Sequence, residues 1–248
     1  MYPIVCAWSM RLSKGEYVVW PDGCRDLIVV VSRGRISRML CTGLDAAVRR
    51  VVRTEETLFF GVRLAPGSAF PWEKAPDTMR ADLPLSRYLS SYGGDWSMET
   101  DGETALRRLV ELTETLVSPV EEWVSDCLME IGSGAPCRIA SLSERTARRR
   151  LVQATGAPPK FWSALARARR AGLELVRSEA PQAQIAADCG FSDQAHMSRE
   201  IRRWFGCAPG GLREHRERAL DRLAAPDAFN VRYSSTMNFA NSGAGAIG

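Results

Sequence analysis

The sequence predicts an α+β protein, strands first and helices later, and three observations carry that expectation. Over about the first 95 residues, short β-branched runs alternate with turn residues. From Gly102 onward helix formers dominate, and apolar residues recur at helical spacing. Basic charge is confined to one segment: residues 1–134 hold 15 Lys+Arg against 19 Asp+Glu, residues 135–222 hold 17 against 9, and residues 223–248 hold one of each. Strands followed by helices, with charge changing sign between them, point to two domains.

Along the chain, Glu16 to Trp20 reads as a strand ended by Pro21-Asp22-Gly23, and Asp26 to Ser32 as a second, with the buried-type core Ile28-Val29-Val30-Val31. Ser32-Arg33-Gly34-Arg35 is a hairpin turn, Ile36 to Thr42 the return strand, and Thr57 to Leu64 another, stopped by Ala65-Pro66-Gly67. Leu106, Leu109, Val110, Leu112 and Leu116 fall roughly on one face of a helix, and Ser118-Pro119 opens a further helix through Met129. After the loop Gly132–Pro136, Ser143 caps a short, very basic helix that runs to about Thr155 and is closed by Gly156. A longer helix is expected from about Lys160 to Arg177, then Gln182 to Cys189, a break at Gly190, and Ser192 to Phe205. The domains predicted are thus 1–101, β-rich; 102–134, a helical connector whose last helix, from about 119, packs with the helical domain after it; 135–222, that helical domain; and a tail, 223–248.

Composition sets exclusions. The chain has 248 residues, 45% hydrophobic and 25% charged, an ordinary globular mix that leaves no room for a rod or wholesale disorder. Its longest aliphatic run, Leu27 to Val31, is far short of the roughly 20 apolar residues a bilayer span needs. Met1 to Met10 lacks the features of a secretory signal, so a cytoplasmic location without membrane contact is expected. Seven scattered cysteines with no C-x-x-C pair suit a reducing compartment and predict mostly buried or idle thiols. Only His196 and His215 occur, too few for a His-based zinc site, and neither a metal nor another cofactor is expected.

Function concentrates in Ile185-Ala186-Ala187-Asp188-Cys189-Gly190-Phe191-Ser192. Ala186 is small enough for two helices to cross closely, Gly190 takes the positive φ of a turn, and Ser192 caps the second helix: the layout of a helix-turn-helix. Met197, Ile201 and Phe205 recur every four residues and face inward, leaving Gln194, Ala195, Ser198, Arg199 and Arg202 outward. Gln can read adenine and Arg guanine in the major groove, while Ser can hold phosphate. An ordinary helical hairpin with a solvated arginine-rich face is the alternative. His196 has no catalytic partner, and Trp162 and Trp204 are assigned to packing, so the chain is not expected to be an enzyme.

Ser143-Glu144-Arg145-Thr146-Ala147-Arg148-Arg149-Arg150-Leu151, Gly156 to Lys160, Gly190 to Glu200 and Gly206-Cys207-Ala208-Pro209 resemble, in order, the DNA-binding domain of the AraC/XylS transcription regulators over about residues 119–216. The resemblance implies two helix-turn-helix units joined by a long helix, with recognition helices at Ser143 to Ala154 and Ser192 to Phe205 entering successive major grooves of double-stranded DNA. It puts base-facing positions at Arg145, Arg148 and Arg149, and at Gln194, Ala195, Ser198 and Arg199. Departures are visible: Ile139 precedes Ser143 by 4 positions where Ile185 precedes Ser192 by 7, about one helical turn fewer. Ala147 replaces a larger core residue, and Leu151 and Ile201 replace Phe. The first unit is therefore expected to be distorted or to bind chiefly phosphates.

Trp20 to Ile28 and Gly61 to Gly67 are similar to a divergent sensor domain found ahead of that DNA-binding domain. This implies a small, barrel-like β fold that binds a small-molecule effector or docks a second subunit as a homodimer, with RNA polymerase as a partner if the protein activates. Asp22, Arg25, Asp26 and Arg63 are candidates to line the effector pocket; a turn aspartate and a structural ion pair account for them equally well. Cys24 is read as a buried inert thiol rather than a redox sensor. In the tail, Phe229, Val231, Tyr233, Met237 and Phe239 alternate, which suits a strand added to a sheet edge as well as disorder, and Asn241 to Gly248 reads as disordered. Rival functions are a protein-interaction adaptor that has lost DNA binding and a thiol-based DNA-repair or redox protein, the latter disfavoured by the lack of paired cysteines.

Overall fold

The computed structural model describes residues 2–70, 83–84, 102–137, 142–229 and 239–241. Its strands are β1 (Ile4–Leu12), β2 (Gly15–Val19), β3 (Arg25–Ser32), β4 (Arg35–Cys41), β5 (Arg49–Arg53), β6 (Thr57–Leu64), β7 (Leu83–Pro84) and β8 (Phe239–Asn241). The described helices are α1 (Gly102–Leu116), α2 (Glu122–Ser133), α3 (Glu144–Thr155), α4 (Pro159–Arg177), α5 (Gln182–Asp188), α6 (Gln194–Phe205), α7 (Pro209–Glu214) and α8 (Arg216–Ala224). The α+β order is the one the sequence predicts.

A six-stranded sheet runs β7-β4-β3-β6-β1-β8, and β2 and β5 form a separate two-stranded ribbon. β3 is central, antiparallel to both β4 and β6, and Val29, Val30 and Val31 of its β-branched run are buried and Ile28 half-buried, with Leu27 and Val29 fully enclosed. The β3–β4 turn places Arg33 and Gly34 at positive φ, as a two-residue hairpin requires. α1 lies on this sheet, its Ala105, Leu106, Leu109 and Val110 packed against Leu27, Val29, Val62 and Leu64. The tail forms an edge strand: Phe239, Ala240 and Asn241 pair in parallel with Ala7, Trp8 and Ser9. Val231, Tyr233 and Met237 lie outside the described residues, as do 242–248.

α2 to α8 build a second core around α4, with Trp162, Leu165, Ala168 and Leu175 fully buried. α2 starts at Glu122, later than Ser118-Pro119 suggested, because the Ser118 amide is taken by the Ala69 carbonyl at 3.1 Å. Cys24, Leu44 and Ala65 of the β-rich part belong to this second core, so the two bodies meet in a packed seam. Trp20 sits 4.9 Å from Phe205, ring to ring, and the Ala228 amide donates to the Asp22 carbonyl at 3.0 Å.

One expectation is corrected. Cys127 and Cys137 form a disulfide, Cα atoms 4.7 Å apart, because Gly134 at the end of α2 turns the chain back along the helix. The free thiols Cys6, Cys24, Cys41 and Cys189 are buried. Burial pushes the Cys24 thiol well up, and that of Cys6, partly offset by Arg63, to about 11.

Candidate nucleic-acid interface

α5 and α6 form the helix-turn-helix. Ile185 and Ala186 are buried at the crossing, the Phe191 amide returns to the Ala186 carbonyl at 2.9 Å, and Gly190 has φ 79° with nothing within 4 Å of where a Cβ would stand. Gly190 is thus required by backbone conformation rather than by crowding. Arg167 of α4 holds the turn from outside, its guanidinium 4.9 Å from the Phe191 ring centre and its Nη1 donating to the Gly190 carbonyl.

The cap of α6 is Asp193, not Ser192. Asp193 Oδ1 accepts from the His196 amide at 2.6 Å, while Ser192 Oγ lies 3.3 Å from Asp193 Oδ2 and 3.0 Å from His196 Nδ1. Ser192 therefore supports the cap rather than supplying it. The bond from the His196 amide, aided by Ser192, holds the Asp193 carboxyl below the usual range. His196 also meets the Phe191 ring edge-on at 5.3 Å, a packing role. Met197, Ile201, Trp204 and Phe205 are buried beneath α6, and burying Phe205 alone contributes about 1.5–3 kcal/mol. Gln194, Ala195, Arg199 and Arg202 are exposed and Ser198 is half-buried, so the structure brings these five onto one open side of a capped helix. Gln194 Nε2 reaches Gln182 Oε1 on α5 at 3.3 Å.

α3 repeats the plan in smaller form. Ser143 caps it by accepting from the Thr146 amide at 3.3 Å, and Gly156 closes it at φ 71°. Ala147, Leu151 and Thr155 are buried; Arg145, Arg148 and Arg149, with Arg150, are exposed. Trp162 Nε1 anchors the end of the helix by donating to Thr155 Oγ1 at 3.1 Å and the Ala157 carbonyl at 3.2 Å. Ile139, and with it the shortened scaffold turn, lies outside the described residues.

Asp22, Asp26 and Arg63 come together at the seam. Arg63 Nη2 is 2.8 Å from Asp22 Oδ2, its Nε 3.1 Å from Asp26 Oδ1, and its Nη1 donates to the Pro226 carbonyl at 2.8 Å. Asp26 also accepts from Trp8 Nε1 at 2.9 Å, and Asp22 from the Cys24 amide at 2.9 Å. Burial opposes the Arg63 charge, yet Asp22 and Asp26 hold its pKa well above the usual value; burial pushes Asp22 up against the pull of Arg63. Arg25 is not part of this cluster: its Nε donates to the Thr42 carbonyl and its guanidinium lies 5.9 Å from the Phe70 ring centre. A groove of about 820 Å³ lies elsewhere, between the end of α2, α4 and α5, lined by Ser133, Arg170, Arg177, Gln184 and Asp188 among others.

Beside this cluster is a pair that sequence reasoning missed. Arg169 of α4, 4% exposed, places Nε 2.5 Å from Asp227 Oδ2 and donates to the Pro21 and Leu223 carbonyls. An arginine among apolar positions of a long helix is the only signal the sequence offers for it.

A capped helix behind a glycine turn, with polar and basic residues on its open side and a second such helix across α4, defines a helix-turn-helix protein. Residues 137–215 match a family model described as a helix-turn-helix domain. The chain is 33% identical over 116 residues to the HTH-type transcriptional activator RhaS of Escherichia coli O139:H28 (strain E24377A / ETEC), and equally to that of Escherichia coli strain SE11, covering 46% of this chain and 42% of each relative. It thus spans less than half the length of these curated relatives. Among solved structures, ToxT from Vibrio cholerae aligns over 85% of this chain and 97% of its own at 9% identity and a TM-score of 0.39. ToxT of Vibrio cholerae O395 bound to (E)-4-(8-methylnaphthalen-1-yl)but-3-enoic acid aligns over 88% and 98% at 11% identity and a TM-score of 0.41. Over residues 137–215 the chain thus carries a helix-turn-helix domain, and it is similar there to the DNA-binding part of AraC-type regulators. Among the described residues no helix is long and apolar enough to cross a membrane.

Proposed function

We propose that the protein is a sequence-specific, DNA-binding transcription regulator without enzymatic activity, in which α6 and α3 enter successive major grooves. The observation that carries this reading is the open side of α6, where Gln194, Ala195, Ser198, Arg199 and Arg202 stand free of the core that Met197, Ile201, Trp204 and Phe205 occupy. Arg199 is the residue for a guanine edge and Gln194 for adenine, while the amides at the helix start and Ser198 suit phosphate. On α3, Arg145, Arg148 and Arg149 take the corresponding positions and bind chiefly the backbone. The 19 residues of α4 span about 28 Å at 1.5 Å each, close to the roughly 34 Å between successive major-groove faces on one side of B-DNA.

Control comes from the β-rich domain. A small-molecule effector, or a second copy of the chain, acts by binding DNA-competent and incompetent states differently. The Asp22–Arg63–Asp26 cluster, saturated by its own partners and in touch with Pro226, passes that difference to the helices rather than holding the effector. RNA polymerase is the further partner if the regulator activates.

The test is in vitro selection from random duplex DNA with the full-length protein at physiological salt, repeated with Arg199→Ala. An enriched motif that blurs at one or two base pairs in the variant is expected. Failure to enrich any motif with the protein folded, with and without candidate effectors, would overturn the reading.

A further inference from the structure

We propose that the β2–β5 ribbon of the N-terminal domain is a third DNA-contacting element, and that Arg50 binds a phosphate flanking the base pairs read by α6. The inference rests on the reading of α6 as a recognition helix and extends the interface onto a domain that the helix-turn-helix does not include.

The ribbon is fixed to the end of α6. The Val48 amide donates to the Arg203 carbonyl at 2.9 Å, Arg203 Nε donates to the Ala46 carbonyl at 3.1 Å, and the Val48 side chain lies 3.3 Å from where a Cβ on Gly206 would stand. Arg203 is four residues beyond Arg199 and flanks the open side of α6. A helix about 10–12 Å across fills a major groove about 12 Å wide, so whatever touches its flank lies along a sugar-phosphate wall. β5 leaves Val48 from that point. Alternation puts residues 48, 50 and 52 on one side of the strand, the side whose Val48 meets the α6 end, and Arg50 stands only about 7 Å further along at 3.3 Å per residue. Arg50 and Val52 are exposed there, Val52 at 64%.

Charge agrees with the placement. The first 134 residues are acidic in sum, yet β5 reads Arg49-Arg50-Val51-Val52-Arg53. On the side of β5 that meets the α6 end stands Arg50, with Arg202 and Arg203 on α6 and the carboxylates Glu16 and Glu200 as the paired acids. Arg50 pairs with Glu16 at 2.8 Å, but its side chain is 67% exposed and that of Glu16 52%, a solvated pair that a phosphate can replace or share through the remaining guanidinium N–H groups. Two-stranded ribbons are established DNA-contacting elements, and a backbone contact here adds affinity without sequence preference.

The experiment measures affinity of the full-length protein for the selected duplex, extended by about ten base pairs on each side, between 50 and 200 mM KCl. Wild type is compared with Arg50→Ala and with Arg33→Ala, a change at the far β3–β4 turn where Arg33 is 85% exposed. Loss of one phosphate contact flattens the log-log slope by about 0.9. The affinity gap between wild type and Arg50→Ala should therefore narrow about 3.5-fold over this range, with the selected motif unchanged and Arg33→Ala like wild type. Thermal melts establish that both variants fold. A wild-type slope that stays steep while Arg50→Ala matches it, or Arg50→Ala binding more tightly, overturns the ribbon contact and leaves the helix-turn-helix reading standing. A wild type with no salt-dependent DNA affinity overturns both.

Discussion

Replacing Asp227 by Ala should cost far more than a tail residue ordinarily does. Asp227 lies beyond the last described helix, yet its side chain is 6% exposed and its Oδ2 is 2.5 Å from Arg169 Nε, whose side chain is 5% exposed. Removing the carboxylate leaves the buried guanidinium with the Pro21 and Leu223 carbonyls as its hydrogen-bond acceptors among the described residues, and also removes the acceptor of the Phe229 amide. Breaking a buried pair in this way costs about 3–5 kcal/mol. For a chain of this size, that corresponds to a fall in Tm of roughly 6–20 °C. Arg169→Met alone should also be harmful, since it removes the guanidinium that balances the buried Asp227 charge. The double variant Arg169→Met, Asp227→Ala should recover much of the loss, giving a coupling above about 2 kcal/mol. Urea unfolding followed by tryptophan fluorescence, with Trp162 and Trp20 near the seam, measures all three. A loss below about 1 kcal/mol for Asp227→Ala, or strict additivity in the double variant, would refute the buried-pair reasoning.

Gly190→Ala should destabilise by about 1 kcal/mol through its positive φ alone, whereas Gly23→Ala should lose more and loosen the seam, because its Cβ would fall 2.7 Å from Ala228 Cβ and 2.8 Å from the Trp162 ring; chemical denaturation ranks the two. Ser143→Ala should lose about 1 kcal/mol from the capped α3 while Ser143→Asp stays near wild type, read by hydrogen exchange of the α3 amides. Reductant should remove the closure of the loop from Cys127 to Cys137, lowering stability by about 2–3 kcal/mol, and a Cys127→Ala, Cys137→Ala variant should melt identically with and without reductant. Buried, and with its pKa raised to about 11, Cys6 should alkylate far more slowly at pH 8 in the folded protein than once urea unfolds the chain, and equal rates in the two states would refute the burial. Mass spectrometry of alkylated peptides tracks it.

Local signals were legible and distant ones were not. β3, β6, α3 and α4 fall within a residue or two of their expected bounds, because β-branched runs, glycine closures and apolar periodicity act over a few neighbours. Ser192 and Asp193 are adjacent and similarly favoured as caps; the geometry that brings Asp193 Oδ1 to the His196 amide separates them. β1 was missed since Ile4–Leu12 shows little polar alternation, and β5 since its arginines obscure a five-residue strand that depends on β2 for pairing. The outward positions on α6 could be deduced from the buried ones. The Arg169–Asp227 pair and the meeting of Asp22 with Arg63 join residues far apart in sequence, so no short window contains them, whereas Cys127 and Cys137 are ten positions apart and only the turn at Gly134 brings them together.

The shared core has a consequence for how such chains can change over evolutionary time. Cys24, Leu44 and Ala65 are donated by the strand-rich half to the interior of the helical half, with the Trp20 ring packed at a tilt against Phe205 in the last turn of α6. A regulator assembled like beads on a string can exchange its input module by recombination at a linker. Here the exchange would uncover an apolar socket, so a new input half would need its own counterparts of these residues, and the two halves are bound to drift together rather than trade partners.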